Sequence, residues 1–202
     1  MKFKNKILKL FSVFAILAIV SCTEEDPIES TITNFPTFDY EQLVIVEVGD
    51  SFMPGATALE GENEIDVVIS GAVNADQVGV YNINYSATNS DGYDGSASQT
   101  VIVHDPSIVG TDVSGDIYDT NTPTRTGNIS LVPGTTSIFY ATDMGGSGIL
   151  PLYFQMDGDE MYVVSQPYNY STVNDAVGTY DPIARTFDVT FSTGWNYIFA
   201  YN

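Results

Sequence analysis

From residue 40 onward the chain carries no apolar spacing of helical period over any useful length, and its order is of period two. Val80-Tyr81-Asn82-Ile83-Asn84-Tyr85-Ser86-Ala87 sets Tyr81, Ile83, Tyr85 and Ala87 on one face. A polar turn over 89–95 follows, and the return run over 97–103 aims Val101 and Val103 the same way. Two such runs around a polar turn make a hairpin with one buried face, the unit of a β-sandwich. Its register is specified because a one-residue slip would turn every apolar side chain to water. Leu43-Val44-Ile45-Val46-Glu47-Val48, closed by Gly49-Asp50, reads as a further strand, and 66–69 as a short one.

A connector over 105–110 leads to a second β region. Strands are expected at 113–118, 128–132, 137–142, 149–155, 160–165, 186–191 and 195–201, with Pro133-Gly134, Gly145-Gly146, Asp157-Gly158 and Thr193-Gly194 as turn signals between most of them. Short strands with glycine-rich turns suit an antiparallel sandwich or a barrel, and the spacing leaves both open. The chain therefore reads as all-β, with a sandwich over 40–104 and a second antiparallel β domain, sandwich or barrel, over 105–202.

The first residues have a different texture. Lys2, Lys4, Lys6 and Lys9 precede an apolar run from Leu10 to Val20, too short to span a bilayer and of the length of a signal-peptide core. Ser21 stands directly before Cys22, the only cysteine. The order resembles a bacterial lipobox, which implies cleavage after residue 21 and acylation of Cys22. A lone cysteine in an exported chain has no disulfide partner, and lipidation accounts for its position. Each buried methylene adds about 0.8 kcal/mol, so several acyl chains anchor stably where one is marginal. Thr23-Glu24-Glu25-Asp26 follows at once and resembles the surface-export signal of Bacteroidota lipoproteins, which implies a location on the outside of the outer membrane; a periplasmic face with a solvated acidic tether is the alternative. Residues 1–21 are thus expected as signal peptide and 22–39 as lipidated cysteine and linker.

Within the sandwich, Val48-Gly49-Asp50-Ser51-Phe52, Pro54-Gly55-Ala56-Thr57-Ala58, the run from Gly79 to Asn89, then Gly92 and Val101-Ile102-Val103, resemble the bacterial Ig-like domains found in surface proteins and in some insecticidal crystal toxins. Ser90-Asp91-Gly92-Tyr93 departs from the family's shorter turn. The resemblance implies an Ig-like sandwich that serves as spacer or adhesive module and implies no activity. The whole layout is similar to small Bacteroidota lipoproteins, some of which accompany glycan-uptake systems of the outer membrane.

Charge excludes one class of partner. Four of the six Lys and Arg residues lie before Cys22, which leaves Arg125 and Arg185 against 26 Asp and Glu, a formal charge of −24. Such a chain cannot neutralise phosphates, so nucleic acid is excluded, and only the lipid would hold it to an anionic membrane. Neutral glycans, cations and basic proteins remain.

Catalytic residues are not evident. His104 is the only histidine, sits at a strand end beside the connector, and has no nucleophile motif near it. Twenty-six carboxylates make chance pairs inevitable, so none is singled out as a glycosidase pair and no enzyme is expected. No cofactor is expected either. A structural calcium ion is a weak possibility at Asp157, Asp159 and Glu160, or at Asp91 and Asp94, where acids lie on tight turns; solvated turn acids are the simpler reading. A neutral-glycan site needs aromatic faces for sugar rings and amides for hydroxyls. Gln166, Tyr168, Asn169 and Tyr170 on a polar loop, with Trp195, the sole tryptophan, are the candidates. The leading expectation is a non-catalytic lipoprotein that captures a neutral glycan. The alternative is an adhesin-like or structural lipoprotein, or a subunit docking on outer-membrane uptake proteins.

Overall fold

A computed structural model of the chain describes residues 33–145, 148–167, 176–192 and 194–202. Cys22 and Thr23 to Asp26 lie outside the described residues. Among those described, the regular structure is strand throughout. The first seven strands are β1 (Thr37–Asp39), β2 (Leu43–Glu47), β3 (Thr57–Glu60), β4 (Asn63–Ile65), β5 (Val68–Ser70), β6 (Gly79–Thr88) and β7 (Asp94–His104). They form two sheets, ordered β1-β3-β4 and β2-β7-β6-β5. β2 runs parallel to β7, with Leu43 opposite Thr100 and Glu47 opposite His104. The hairpin β6–β7 is as the alternation demands, with Tyr81 opposite Val101 and Thr88 opposite Asp94. Ile83, Tyr85, Val101, Val103 and Val46 fill the space between the sheets, flanked by Phe38, Tyr40 and Phe52. The polar tip of buried Tyr85 donates to Gln99 Oε1 at 2.9 Å, and Gln99 Nε2 donates to the Glu41 carbonyl at 2.7 Å, so this core leaves that hydroxyl and amide bonded.

The second region is a barrel. Its strands are β8 (Gly115–Asp119), β9 (Thr122–Leu131), β10 (Ile138–Ala141), β11 (Leu152–Asp157), β12 (Glu160–Val163), β13 (Val177–Asp181), β14 (Thr186–Thr190) and β15 (Asn196–Tyr201). Each pairs antiparallel with its neighbour in sequence, and β15 closes on β8, with Ala200 opposite Tyr118. The result is an up-and-down meander. Inward positions carry Ile129, Phe139, Phe154, Met161, Phe187 and Phe199, each at most 1% exposed, so side chains fill this eight-stranded interior.

Four strands escape the sequence pattern, β1, β3, β4 and β13, of which β3 and β4 are only four and three residues long. β1 falls inside the stretch expected as linker; it is three residues long and pairs only through Phe38 and its neighbours with β3. β13 is absent from the expected set because Gly178 stands at one of its inward positions. The glycine is a packing requirement: a Cβ there would lie 2.7 Å from the Asp188 carbonyl oxygen and 3.0 Å from Met161 Sδ.

The two β regions share a core. Ile45, Val80 and Ile102 lie on the outer face of the β2-β7-β6 sheet and pack with Val132, Ile138, Tyr140, Tyr153 and Val164 of the barrel. Val101, Ile102 and Val103 are consequently all fully buried, a strand covered on both faces. Main-chain bonds reinforce the joint: Val80 N–H donates to the Ser165 carbonyl at 2.7 Å, and Thr111 N–H to the Gly158 carbonyl at 2.8 Å. Gly110 passes so close to the barrel that a Cβ would meet Met156 Cβ at 2.3 Å. His104 is buried at 3% exposure, and its Nδ1 has no hydrogen-bond partner.

The chain enters this body at the opposite end of the sandwich, by the β6–β7 tip. Asn89 Nδ2 donates to the Asn34 carbonyl at 2.9 Å, and the rings of Phe35 and Tyr93 lie 5.5 Å apart. Ten-residue β6 puts that tip roughly 30 Å from the joint at strand rise.

Candidate binding surface at one end of the barrel

A meander reverses at every strand, so alternate connections leave from opposite ends. Among the described residues, one end carries 120–121, 142–145, 148–151, 164–167, 176, 191–192 and 194–195; the other carries 132–137 and the tight turns 158–159 and 182–185. Ligand sites of small barrels tend to lie at a mouth of the barrel.

Trp195 sits at this rim. It shares the inward phase of Tyr197, Phe199 and Tyr201 but precedes the first residue of β15, and it is 67% exposed. A tight turn holds it there: Gly194 N–H donates to the Phe191 carbonyl at 2.8 Å, and Phe191 N–H to the Trp195 carbonyl at 2.9 Å. Gly194 adopts φ +83°, which its lack of a Cβ permits.

Below the rim lies a group that sequence reasoning missed. Arg125, at an inward position of β9, places Nε 3.9 Å from Asp143 Oδ2 and its guanidinium 6.0 Å from the centre of the Tyr197 ring. Asp143 in turn organises the 142–151 connection, its Oδ1 accepting from Gly145 N–H at 3.1 Å and Leu150 N–H at 3.2 Å. Gly145 lies flat against Tyr197, where a Cβ would fall 2.8 Å from the ring. Ile149, 82% exposed, stands on the same connection. The signal in the sequence is the rarity of arginine after Cys22, where Arg125 is one of two.

The other expected ligand residues divide. Tyr168, Asn169 and Tyr170 lie outside the described residues. Gln166 is buried and committed to structure. Its Nε2 donates to the Tyr153 carbonyl at 2.8 Å and its Oε1 accepts from Tyr153 N–H at 3.1 Å, so the side chain prolongs the β11 ladder beyond the end of β12. That correction removes its amide from any ligand set.

The acids proposed for calcium lie at the opposite end. Asp159 Oδ1 accepts from the Thr111 hydroxyl at 2.7 Å, and Glu160 Oε2 accepts from the Thr179 hydroxyl at 3.3 Å. At the sandwich tip, Asp94 Oδ1 accepts from the Thr88 hydroxyl at 2.6 Å. Among the described residues no three His, Cys, Asp or Glu side chains gather as a metal site would need.

Residues 36–103 match the model of the bacterial surface protein Ig-like domain, so the sandwich is a domain of that kind. No curated protein matches the chain. Among solved structures, a lipoprotein of Bacteroides thetaiotaomicron is similar at 22% identity, over 83% of this chain and all of that one, with a TM-score of 0.40.

Proposed function

We propose that the chain is a lipoprotein anchored through Cys22 in the outer membrane, facing the cell exterior, and that its barrel captures a neutral glycan at the loop-bearing end without chemical turnover. The observation that carries this reading is Trp195, a large aromatic held at the rim by a turn rather than folded into the core. An exposed indole offers a flat apolar face to sugar C–H groups. The geometry of the body supports the tether. The described chain begins its packing at Asn34, at the far end of the sandwich from the barrel, which suits a tether on that side. The acidic charge favours an uncharged ligand over an anionic one.

A glycan-array screen of the chain from Thr23 tests the reading, with Trp195→Ala and Tyr168→Ala/Tyr170→Ala run beside it. Saturable binding to one neutral glycan class, weakened at least tenfold by Trp195→Ala (about 1.4 kcal/mol), is the expected result. Silence across the array, with and without calcium, overturns it and leaves the protein-interaction reading.

A further inference from the structure

Among the described residues β2 is the outermost strand of its sheet, with β7 on one side and no strand on the other. Its bonds to β7 are placed by Thr100 N–H to the Gln42 carbonyl, 2.9 Å, and Val48 N–H to the His104 carbonyl, 2.8 Å. In a parallel pair alternate residues face the partner, so Leu43 and Ile45 turn their N–H and C=O groups to the free side. Exposed edges are usually blunted by lysine, proline or a bulge. Leu43-Val44-Ile45-Val46-Glu47 has no lysine or proline, and its register with β7 is unbroken. Beside it runs an open groove of about 1040 Å³, with Val44, Val46 and Phe52 among its walls and Met53, 89% exposed, at its lip.

The charge of the groove says what would fill it. Asp39, Glu41, Glu47 and Asp50 are exposed among its lining residues, and none of the lining residues is Lys or Arg. A second copy of the chain is a poor occupant, because after Cys22 it has only two isolated arginines, both in barrel strands or turns. The residues preceding the body, with Glu24, Glu25, Asp26 and Glu29, would be repelled as well. We propose that this groove receives an extended segment of another protein, apolar residues alternating with Lys or Arg, which adds to β2 as a further strand. Main-chain bonds to Leu43 and Ile45 would supply the affinity, alternate side chains would enter the groove, and the outer ones would meet the carboxylates. The surface is independent of the glycan reading, which concerns the barrel.

The test uses the full chain from Thr23 and a short fluorescent peptide of alternating Val and Lys, followed by anisotropy and by backbone hydrogen exchange. Saturable binding that slows exchange at 43–47 is expected. Glu41→Gln/Glu47→Gln, folded by calorimetry, should weaken it roughly tenfold, as the loss of two rim charges would. The same peptide N-methylated on the bonding edge should lose binding, and a Val–Glu peptide should not bind. Equal binding of the N-methylated peptide would reduce the effect to charge attraction and overturn the proposal. Absence of binding, dimerisation of the free chain through β2, or slow exchange at Leu43 and Ile45 that disappears on deleting residues 23–32 would overturn it too, the last two by giving the edge another occupant.

Discussion

At the scale of the residue, the sharpest contrast is between Gln166 and Trp195, both expected in one binding site. Gln166 is a structural plug. Gln166→Ala leaves the Tyr153 N–H and C=O without that partner, and should lower stability by about 1–3 kcal/mol. Denaturant unfolding checks this, and glycan affinity per folded molecule should not change; lost affinity with unchanged stability would contradict the assignment. Tyrosines give a second prediction. Burial, first of all, raises the Tyr201 and Tyr153 hydroxyls above the ordinary value of 10.0, with neighbouring Tyr180 and Tyr140 adding to it. A group raised on folding contributes stability that is complete below its unfolded value and is lost as pH climbs through the folded one. Stability should therefore fall as pH passes about 10, with tyrosinate absorbance from these rings appearing only as the chain unfolds. Tyrosinate from all rings at an ordinary value in a chain still folded would contradict it. In the other direction, bonds from the Ser107 and Ser114 side chains, then from their main-chain N–H groups, hold Asp105 and Asp112 below the usual carboxylate value, and that smaller contribution is lost as pH falls through their lowered values.

At the scale of the element, the β7 strand joins the two regions. Ile102 is fully buried although the sandwich core lies on the other face of its strand. Ile102→Ala should cost about 2–5 kcal/mol, and the loss should fall on the joint, so that unfolding followed by calorimetry separates into two transitions. One broadly unchanged transition would contradict that. The same strand shows what was legible. Period two in β6 and β7 gave the hairpin and its inner face, because one apolar face is specified residue by residue. Ile45, Val80 and Ile102, the apolar residues of the opposite face, carried the signal of the joint, yet an apolar residue on an outer face does not say what covers it. Barrel and sandwich share the same alternation, so closure of β15 on β8 was not legible; it depends on pairings between residues some eighty positions apart. β13 was hidden by Gly178, whose space is taken by Met161. At the site, Trp195 was legible as a rare aromatic beside a glycine turn. Arg125 and Asp143 were not, because their meeting depends on the β9–β10 register, which sets Asp143 beside Gly127, two residues from Arg125.

At the scale of the whole molecule, the chain after Cys22 is a body of like charge held together by apolar packing. Its 26 carboxylates face two arginines, so self-repulsion works against the folded state and salt should relieve it. Melting temperature should rise with sodium chloride between low and physiological ionic strength; a fall would mean that ion pairs such as Arg125–Asp143 outweigh the repulsion. Sandwich and barrel share one core, and the barrel is carried at the end of the sandwich away from Asn34, where the described chain begins its packing. The central claim is that the rim of the barrel is the binding face. Trp195 is the sole tryptophan, so its fluorescence reports on the rim alone. The decisive measurement is a titration of the chain with neutral oligosaccharides followed by that emission. The account predicts a saturable blue shift with one glycan class as the sugar dehydrates the indole. Either no glycan binding, or binding that leaves the tryptophan emission unchanged, would contradict it.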